Sequence, residues 1–584
     1  MITKDEASLW PAITDPAKAT VKQELMNAIQ EEPERSICHK LCDTISELGA
    51  GILEEGGWPE LMPFMFQCVQ SGQARLQENA LLIFSQLAQY LADAFIPYLG
   101  TLHGVLKQCI CQAASSEVRT AALKATTAFI STIEAPQERD RFQDMLPDML
   151  STLSHSLQTG EEKTAQEALE MFIEVAETHP RFLRKQLAPV TDAMLQVAEA
   201  DSLEDSTRQL AAEFLVTLAE AREKAPGMMR KLPNFSTRIF VCVTGFLLDI
   251  EDDPEWHLAE DEAQEDAGQG ELFDVGQECL DRLALSMGGK TILPAASQVL
   301  PVYAQDQDWK KRHAGLIVLA QIAEGCQKEM LQQLGPIIDL CLAGARDPHP
   351  RVRWAAFQAL GQLSSDLGPD LQTNQHAKVM PVMIGAMEDF QNPRVQAHAA
   401  AAIVNFSENC SSDIMPQYLD GIISKLLILL QGGKKMAQEG ALTAMASVAD
   451  CAQQSFVKYY DAVIPYLKSI LTGATDKSHR LLRAKAMECI SLVGMAVGRE
   501  RFRQDAKGVM EILVSLQNSA LDDDDPISSY MLQAWARLCK CLGQEFLPYM
   551  QIVMPPLLQS AQLKPDVRVL DADEENEDED DDEV

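Results

Sequence analysis

Nine carboxylates crowd residues 251–266, in EDDPEWHLAEDEAQED, with Trp256 and His257 set among them. From Arg238 to Arg282 no lysine or arginine interrupts that field. Carboxylates at this density repel one another and attract cations, so the run by itself reads as a solvated loop. An indole has little use in a merely solvating loop, and Trp256 points instead to a grip on a basic partner surface. A second acidic run closes the chain in DADEENEDEDDDEV, where eleven of fourteen residues are acidic. Self-repulsion and scarce apolar content keep such a tail from folding alone. The chemistry on offer is electrostatic capture of a basic partner.

The whole chain agrees with that sign. Its 584 residues carry 49 basic and 86 acidic side chains, a net charge of −37. This field disfavours direct contact with a phosphate backbone. No catalytic constellation, metal site or cofactor site is legible. MGGKT (residues 287–291) mimics the end of a phosphate loop, but Ala284 stands where the first glycine belongs, and Gly288-Gly289 reads as a helix stop. His313, His349 and His398 follow the packing of the repeats described below rather than a metal cluster. The 14 cysteines are scattered without a C-x-x-C pair and read as buried reduced thiols. The N-terminus has no signal-peptide pattern, and no stretch reaches 18 uncharged apolar residues, so a soluble intracellular chain is expected, with no membrane span.

The scaffold shows itself as a repeat. RDPHPRVRWAAFQALGQL (residues 346–363) has counterparts in DWKKRHAGLIVLAQI 41 residues earlier and NPRVQAHAAAAIVNF 43 residues later. Further copies carry Arg119, Arg208 and Arg483. The gap from Arg208 to Arg312 exceeds two such steps by about 18 residues, which the acidic run from Glu251 supplies. Each copy reads as helix, Pro-bounded turn, helix. Val352, Ala355, Ala356, Ala359, Leu360 and Leu363 form one apolar stripe at helical spacing. A single pair cannot bury that stripe alone, so neighbours must stack. The fold class is therefore all-α: an α-solenoid, or superhelix, of about 12–13 HEAT-like helical hairpins between residues 18 and 565. The second helices carry polar residues opposite the stripe, among them Asn405, Glu408, Asp450 and Glu488, which recur on one surface and line a groove.

These segments, with SVADCAQQSFVKYYDAVIPYLKSIL, RLLRAKAMECISLVGMAVG and YMLQAWARLCKCLGQEF, resemble the importin-beta superfamily of nuclear transport receptors, and within it the beta-3 type. The acidic insertion just before DWKKRHAG stands at the family's position. The resemblance implies a non-enzymatic import receptor, without cofactor, that binds basic localisation signals of protein cargo such as ribosomal proteins or histones. It also implies release of cargo by Ran-GTP, contact with nuclear pore proteins, and shuttling of a monomer between cytoplasm and nucleus. On that basis Asp252, Asp253, Glu255, Trp256, Glu260, Asp261 and Glu262 would touch Ran and influence cargo release. Glu388, Asp389, Asn405, Glu408, Asp450 and Glu488 would take cargo on second helices. The implied organisation is an N-terminal segment (1–17), N-terminal repeats (18–250), the acidic intra-repeat loop (251–268), central repeats (269–565) and a disordered acidic tail (566–584). Relative to the family the chain reads as truncated at both ends. The missing first repeats hold the family's main Ran-binding surface, so the resemblance implies cargo binding more strongly than Ran binding. Length alone favours a different class, a HEAT scaffold for enzyme subunits such as a phosphatase; the acidic insertion argues against it, because regular scaffolds keep short, uniform turns.

Overall fold

The structure is a computed structural model. It describes residues 10–53, 57–112, 115–221, 229–258, 265–473, 477–517 and 526–562. Helices alternate as antiparallel pairs, and among the described residues the one β feature is an isolated antiparallel bridge between Ile250 and Gln269. The chain forms two compact units: residues 1–253 with 266–359, and residues 254–265 with 360–584.

The arginine that marks each repeat has a local job. A helix ends with carbonyls that lack intrahelical partners. Arg353 returns from the start of its helix (Pro350–Asp366) to donate to the carbonyls of Asp347 at 2.8 Å and Pro348 at 3.1 Å. Arg312 does the same for Asp306 and Gln307, and forks onto Asp347 of the next turn at 2.6 and 3.0 Å. In these two repeats the arginine fixes the turn before its helix and, at Arg312, links it to the next. Behind it, the predicted stripe is buried from Val352 to Leu363. In the first unit the second helices Ala74–Leu91, Ser116–Thr132, Glu162–Thr178, Asp205–Glu220 and Glu271–Met287 pack successively on one another. In the second unit Pro393–Glu408, Lys435–Ala452, Arg480–Val497 and Ile527–Leu542 do so. Ala399, Ala402, Ala441 and Ala444 allow that closeness. Gly288, at φ 76°, separates Glu271–Met287 from Gly289–Ala304, as the helix-stop reading requires.

Of the cysteines, eight are buried, while Cys111 and Cys539 are exposed, so burial does not hold for all of them. No described helix is long and apolar enough to cross a membrane.

His313 is buried on Trp309–Gln321 between Phe273 and Trp354, the latter stacked at 6.2 Å. Burial, aided by the charges of Arg351 and His349, lowers its pKa to about 3. The unfolded chain then takes up a proton near pH 6.5 that the folded chain refuses, so stability falls as pH drops from 6.5 towards 3. His313→Phe should flatten the fall in melting temperature across that window. The difference should approach ~1.4 kcal/mol per pH unit, and equal slopes in the two proteins would refute the assignment.

Candidate functional site: the acidic insertion and the carboxylates of the second helices

The insertion separates the first helix of its repeat, Phe235–Phe246, from the second, Glu271–Met287. In the first unit its two ends close on each other: the Glu251 amide donates to the Gly268 carbonyl at 2.6 Å, beside the Ile250–Gln269 bridge. Gly268 has φ 85°, and a Cβ there would stand 2.3 Å from the Glu251 oxygen, so only glycine closes the stem. Arg351, 1 % exposed, clamps both arms by donating to the carbonyls of Glu251 and Ala267. A buried guanidinium is tolerated when its donors are met in this way. Lys310 pairs with Glu251 at 2.7 Å. His349 lies flat on Trp309, ring centres 4.2 Å apart, with its Nε2 3.4 Å from Asp252 Oδ2. The Asp253 amide donates to the Glu251 carbonyl at 3.0 Å.

In the second unit the short helix Pro254–Leu258 presents Glu255 outward and Trp256 inward. Trp256 is 2 % exposed, with the Arg394 guanidinium 5.8 Å over its ring and Arg394 Nε donating to its carbonyl at 2.7 Å. The indole therefore fastens the insertion to its own chain instead of facing a partner, which corrects the sequence-based expectation. Lys434 Nζ donates to the Leu258 carbonyl. Glu265 Oε1 lies 3.7 Å from Nδ1 of His398, whose pKa burial lowers to about 4. Glu265, His398, Asn405, Thr443 and Lys485 line a cavity of about 420 Å³. Glu260, Asp261 and Glu262 lie outside the described residues.

Three successive second helices carry a carboxylate in their last turn, whereas Arg480–Val497 and Ile527–Leu542 end on apolar residues. Asp366 and Glu408 are the last residues of Pro350–Asp366 and Pro393–Glu408, and Asp450 lies in the final turn of Lys435–Ala452. They follow one another at intervals of 42 residues. Neighbouring helix ends are tied together: Asn409 Nδ2 donates to the Ser364 carbonyl at 3.3 Å, and Ser447 Oγ to the Val404 carbonyl at 3.3 Å. Glu408 and Asp450 are exposed. A helix C-terminus carries partial negative charge, so acids there cost roughly 0.3–1 kcal/mol each. Asp366 accepts from Gln362 at 2.9 Å and Asp450 from Gln453 at 3.4 Å.

Family models match the chain in four stretches: IPO5-like, TPR repeats over residues 33–193; importin repeat over 200–294; HEAT-like repeat over 309–363; and importin subunit beta-1-like, TPR repeats over 371–574. Importin subunit beta-3 of Saccharomyces cerevisiae is 32% identical over 565 residues, which cover 95% of this chain and 50% of the relative. The probable importin-5 homolog of Dictyostelium discoideum is 28% identical over 573 residues, covering 97% of this chain and 52% of the relative. The crystal structure of Kap121p bound to Pho4p superposes with a TM-score of 0.87 at 30% identity, covering 96% of this chain and 53% of that one. The chain belongs to the importin-beta family. It is an α-solenoid of HEAT-like repeats, and it spans about half the length of the curated relatives it matches.

Within this importin-beta family member, the sequence-predicted cargo residues fall in different places. Asn405, Glu408, Asp450 and Glu488 are on second helices, but Glu488 is paired with Arg537 at 3.4 Å. Glu388 and Asp389 are not on a second helix. The preceding first helix ends at Ala386, and both lie in the following turn, where Asp389 accepts from Asn392 at 2.8 Å. Glu388 pairs with Lys425, on the first helix of the next repeat (Leu419–Gly432). Sequence reasoning missed Asp366, the last residue of Pro350–Asp366. The signal for it is the spacing of 42 residues that Asp366, Glu408 and Asp450 share.

Proposed function

We propose that this chain acts as a nuclear import receptor that binds basic localisation signals of protein cargo, releases them to Ran-GTP, meets nuclear pore proteins, and shuttles between cytoplasm and nucleus. The observation that carries the reading is the run of acids at the ends of successive second helices, Asp366, Glu408 and Asp450, kept against the helix dipole. The Pho4p complex of Kap121p supports a protein ligand for this kind of fold. Packed helices lie about 8–10 Å apart and an extended chain advances about 3.3–3.6 Å per residue. One carboxylate per helix therefore meets every third residue of an extended ligand, which favours lysines at i and i+3. The insertion, fastened at Trp256 and Arg351 with Glu255 and Asp252 outward, is the segment through which Ran influences release in this reading.

Fluorescence anisotropy with a labelled peptide bearing lysine at every third position provides the test. It should bind more tightly than a peptide of equal charge with its lysines in one block. Raising salt from about 0.05 M to about 0.5 M should weaken binding at least roughly tenfold, because exposed pairs are screened. Ran loaded with GTP should displace the peptide and Ran loaded with GDP should not. Absent or salt-independent peptide binding would remove the reading.

A further inference from the structure

Eight of the fourteen cysteines are buried, and Cys111 and Cys539 are exposed. Cys410 and Cys451 differ from both groups. Both are half-buried. Cys410 follows the end of Pro393–Glu408, and Cys451 lies in the last turn of Lys435–Ala452, the next second helix in the same unit. Cys451 Sγ donates to the Cys410 carbonyl at 3.4 Å, which sets the two cysteines side by side. The sequence separates them by 41 residues, one repeat, so only stacking brings them together. Each sits directly beside an acid of the series, Cys410 two residues after Glu408 and Cys451 one residue after Asp450.

We propose that Cys410 and Cys451 form a reversible oxidation site, joined as a disulfide by a small-molecule disulfide such as oxidised glutathione, which staples two successive repeats beside Glu408 and Asp450. Cys451 is the attacking thiol. A hydrogen bond from Cys410 lowers its pKa, against the opposing effects of burial and of Asp450, while Cys410 is pushed up. The Cys451 thiolate attacks one glutathione sulfur, the glutathione disulfide bond breaks, and one glutathione thiolate leaves. Cys410 then loses its proton and attacks the Cys451 sulfur, and the second glutathione leaves. Two protein thiols are oxidised and one glutathione disulfide is reduced to two thiols, so atoms and electrons balance. By contrast Cys38 and Cys42 share one helix and are buried, and burial pushes Cys42 far up, so that pair stays protonated and out of reach.

The staple holds Glu408 and Asp450 at one spacing, so the oxidised chain should release a lysine peptide more slowly than the reduced chain. This consequence rests on the reading of those acids as ligand-binding groups; the cross-link does not. The test treats the full chain with oxidised glutathione, blocks remaining thiols, and maps peptides by mass spectrometry without reduction. The expected product is a peptide pair joined through Cys410 and Cys451, restored to free thiols by dithiothreitol and lost in Cys451→Ser. Hydrogen exchange of residues 409–418 should slow in the oxidised wild-type chain, a readout that needs no variant. Glutathione left as an adduct on either cysteine without the cross-link, or oxidation spread over Cys111 and Cys539 instead, would overturn the proposal. A cross-link with unchanged peptide release would leave the oxidation site standing and remove only its effect on the ligand.

Discussion

Changing Asp366, Glu408 and Asp450 together to lysine should weaken capture of a lysine-rich peptide about 1,000-fold while leaving the melting temperature equal to or above that of the parent chain. Each reversal removes an attraction and adds a repulsion. For part-exposed pairs of about 0.2–1 kcal/mol, that swing is roughly 0.4–2 kcal/mol per site, and about 1.3 kcal/mol in the upper half of that range. Three sites give about 4 kcal/mol, or three decades in affinity. Folding responds with the opposite sign, because lysine at the end of a helix complements the dipole that the native acid opposes. The combination discriminates between explanations. A structural role for these acids predicts that stability falls along with binding, whereas a ligand-binding role predicts that binding falls alone. Anisotropy and a thermal melt on the same preparation decide it. Asp389→Lys serves as the contrast: its position in a turn, bonded to Asn392, should leave affinity within about twofold.

The repeat was legible because its physics is local. An arginine near the start of a second helix, reaching the carbonyls of the turn before it at Arg312 and Arg353, and an Ala- and Leu-rich stripe that follows recur along the chain. Their spacing locates the insertion as well, since the extra residues between Arg208 and Arg312 need a place. The environment of Trp256 was not legible. Its partner Arg394 is 138 residues away in sequence, and an indole inside an acidic run looks the same whether it meets a neighbouring repeat or another protein. Glu388 and Asp389 were misplaced because the end of a helix is weakly marked in sequence, and Ala386-Met387 carries no stop signal comparable to Gly288. The acids ending the second helices show the reverse problem. Their period was present, but a single exposed carboxylate resembles any wet helix face until stacking sets Glu408 beside the helix that bears Asp450.

Trp256→Ala should free the Pro254–Leu258 segment and destabilise the second unit by about 3–5 kcal/mol, the usual cost of deleting a buried large aromatic. Two further losses accompany the cavity. The Arg394 guanidinium, 2 % exposed, loses the ring over which it lies, and its bond to the residue 256 carbonyl loosens with the segment. A buried cation left in poorer company is expensive, so Arg394→Ala should act on the same segment from the other side. Stacked repeats transmit such damage mainly to their neighbours. Hydrogen exchange should therefore accelerate first in Pro393–Glu408 and Lys435–Ala452 and much less in Ile527–Leu542. Limited proteolysis should cut the 251–268 insertion faster in Trp256→Ala than in the parent chain. Glu255→Gln changes an exposed carboxylate on the same short helix and should do neither. If Trp256→Ala instead left exchange and cleavage at parental rates while lowering affinity for Ran, the indole would belong to a partner surface after all. If both rates rise with Ran untested, the insertion is a docked element whose acids are held in place by one tryptophan and one arginine.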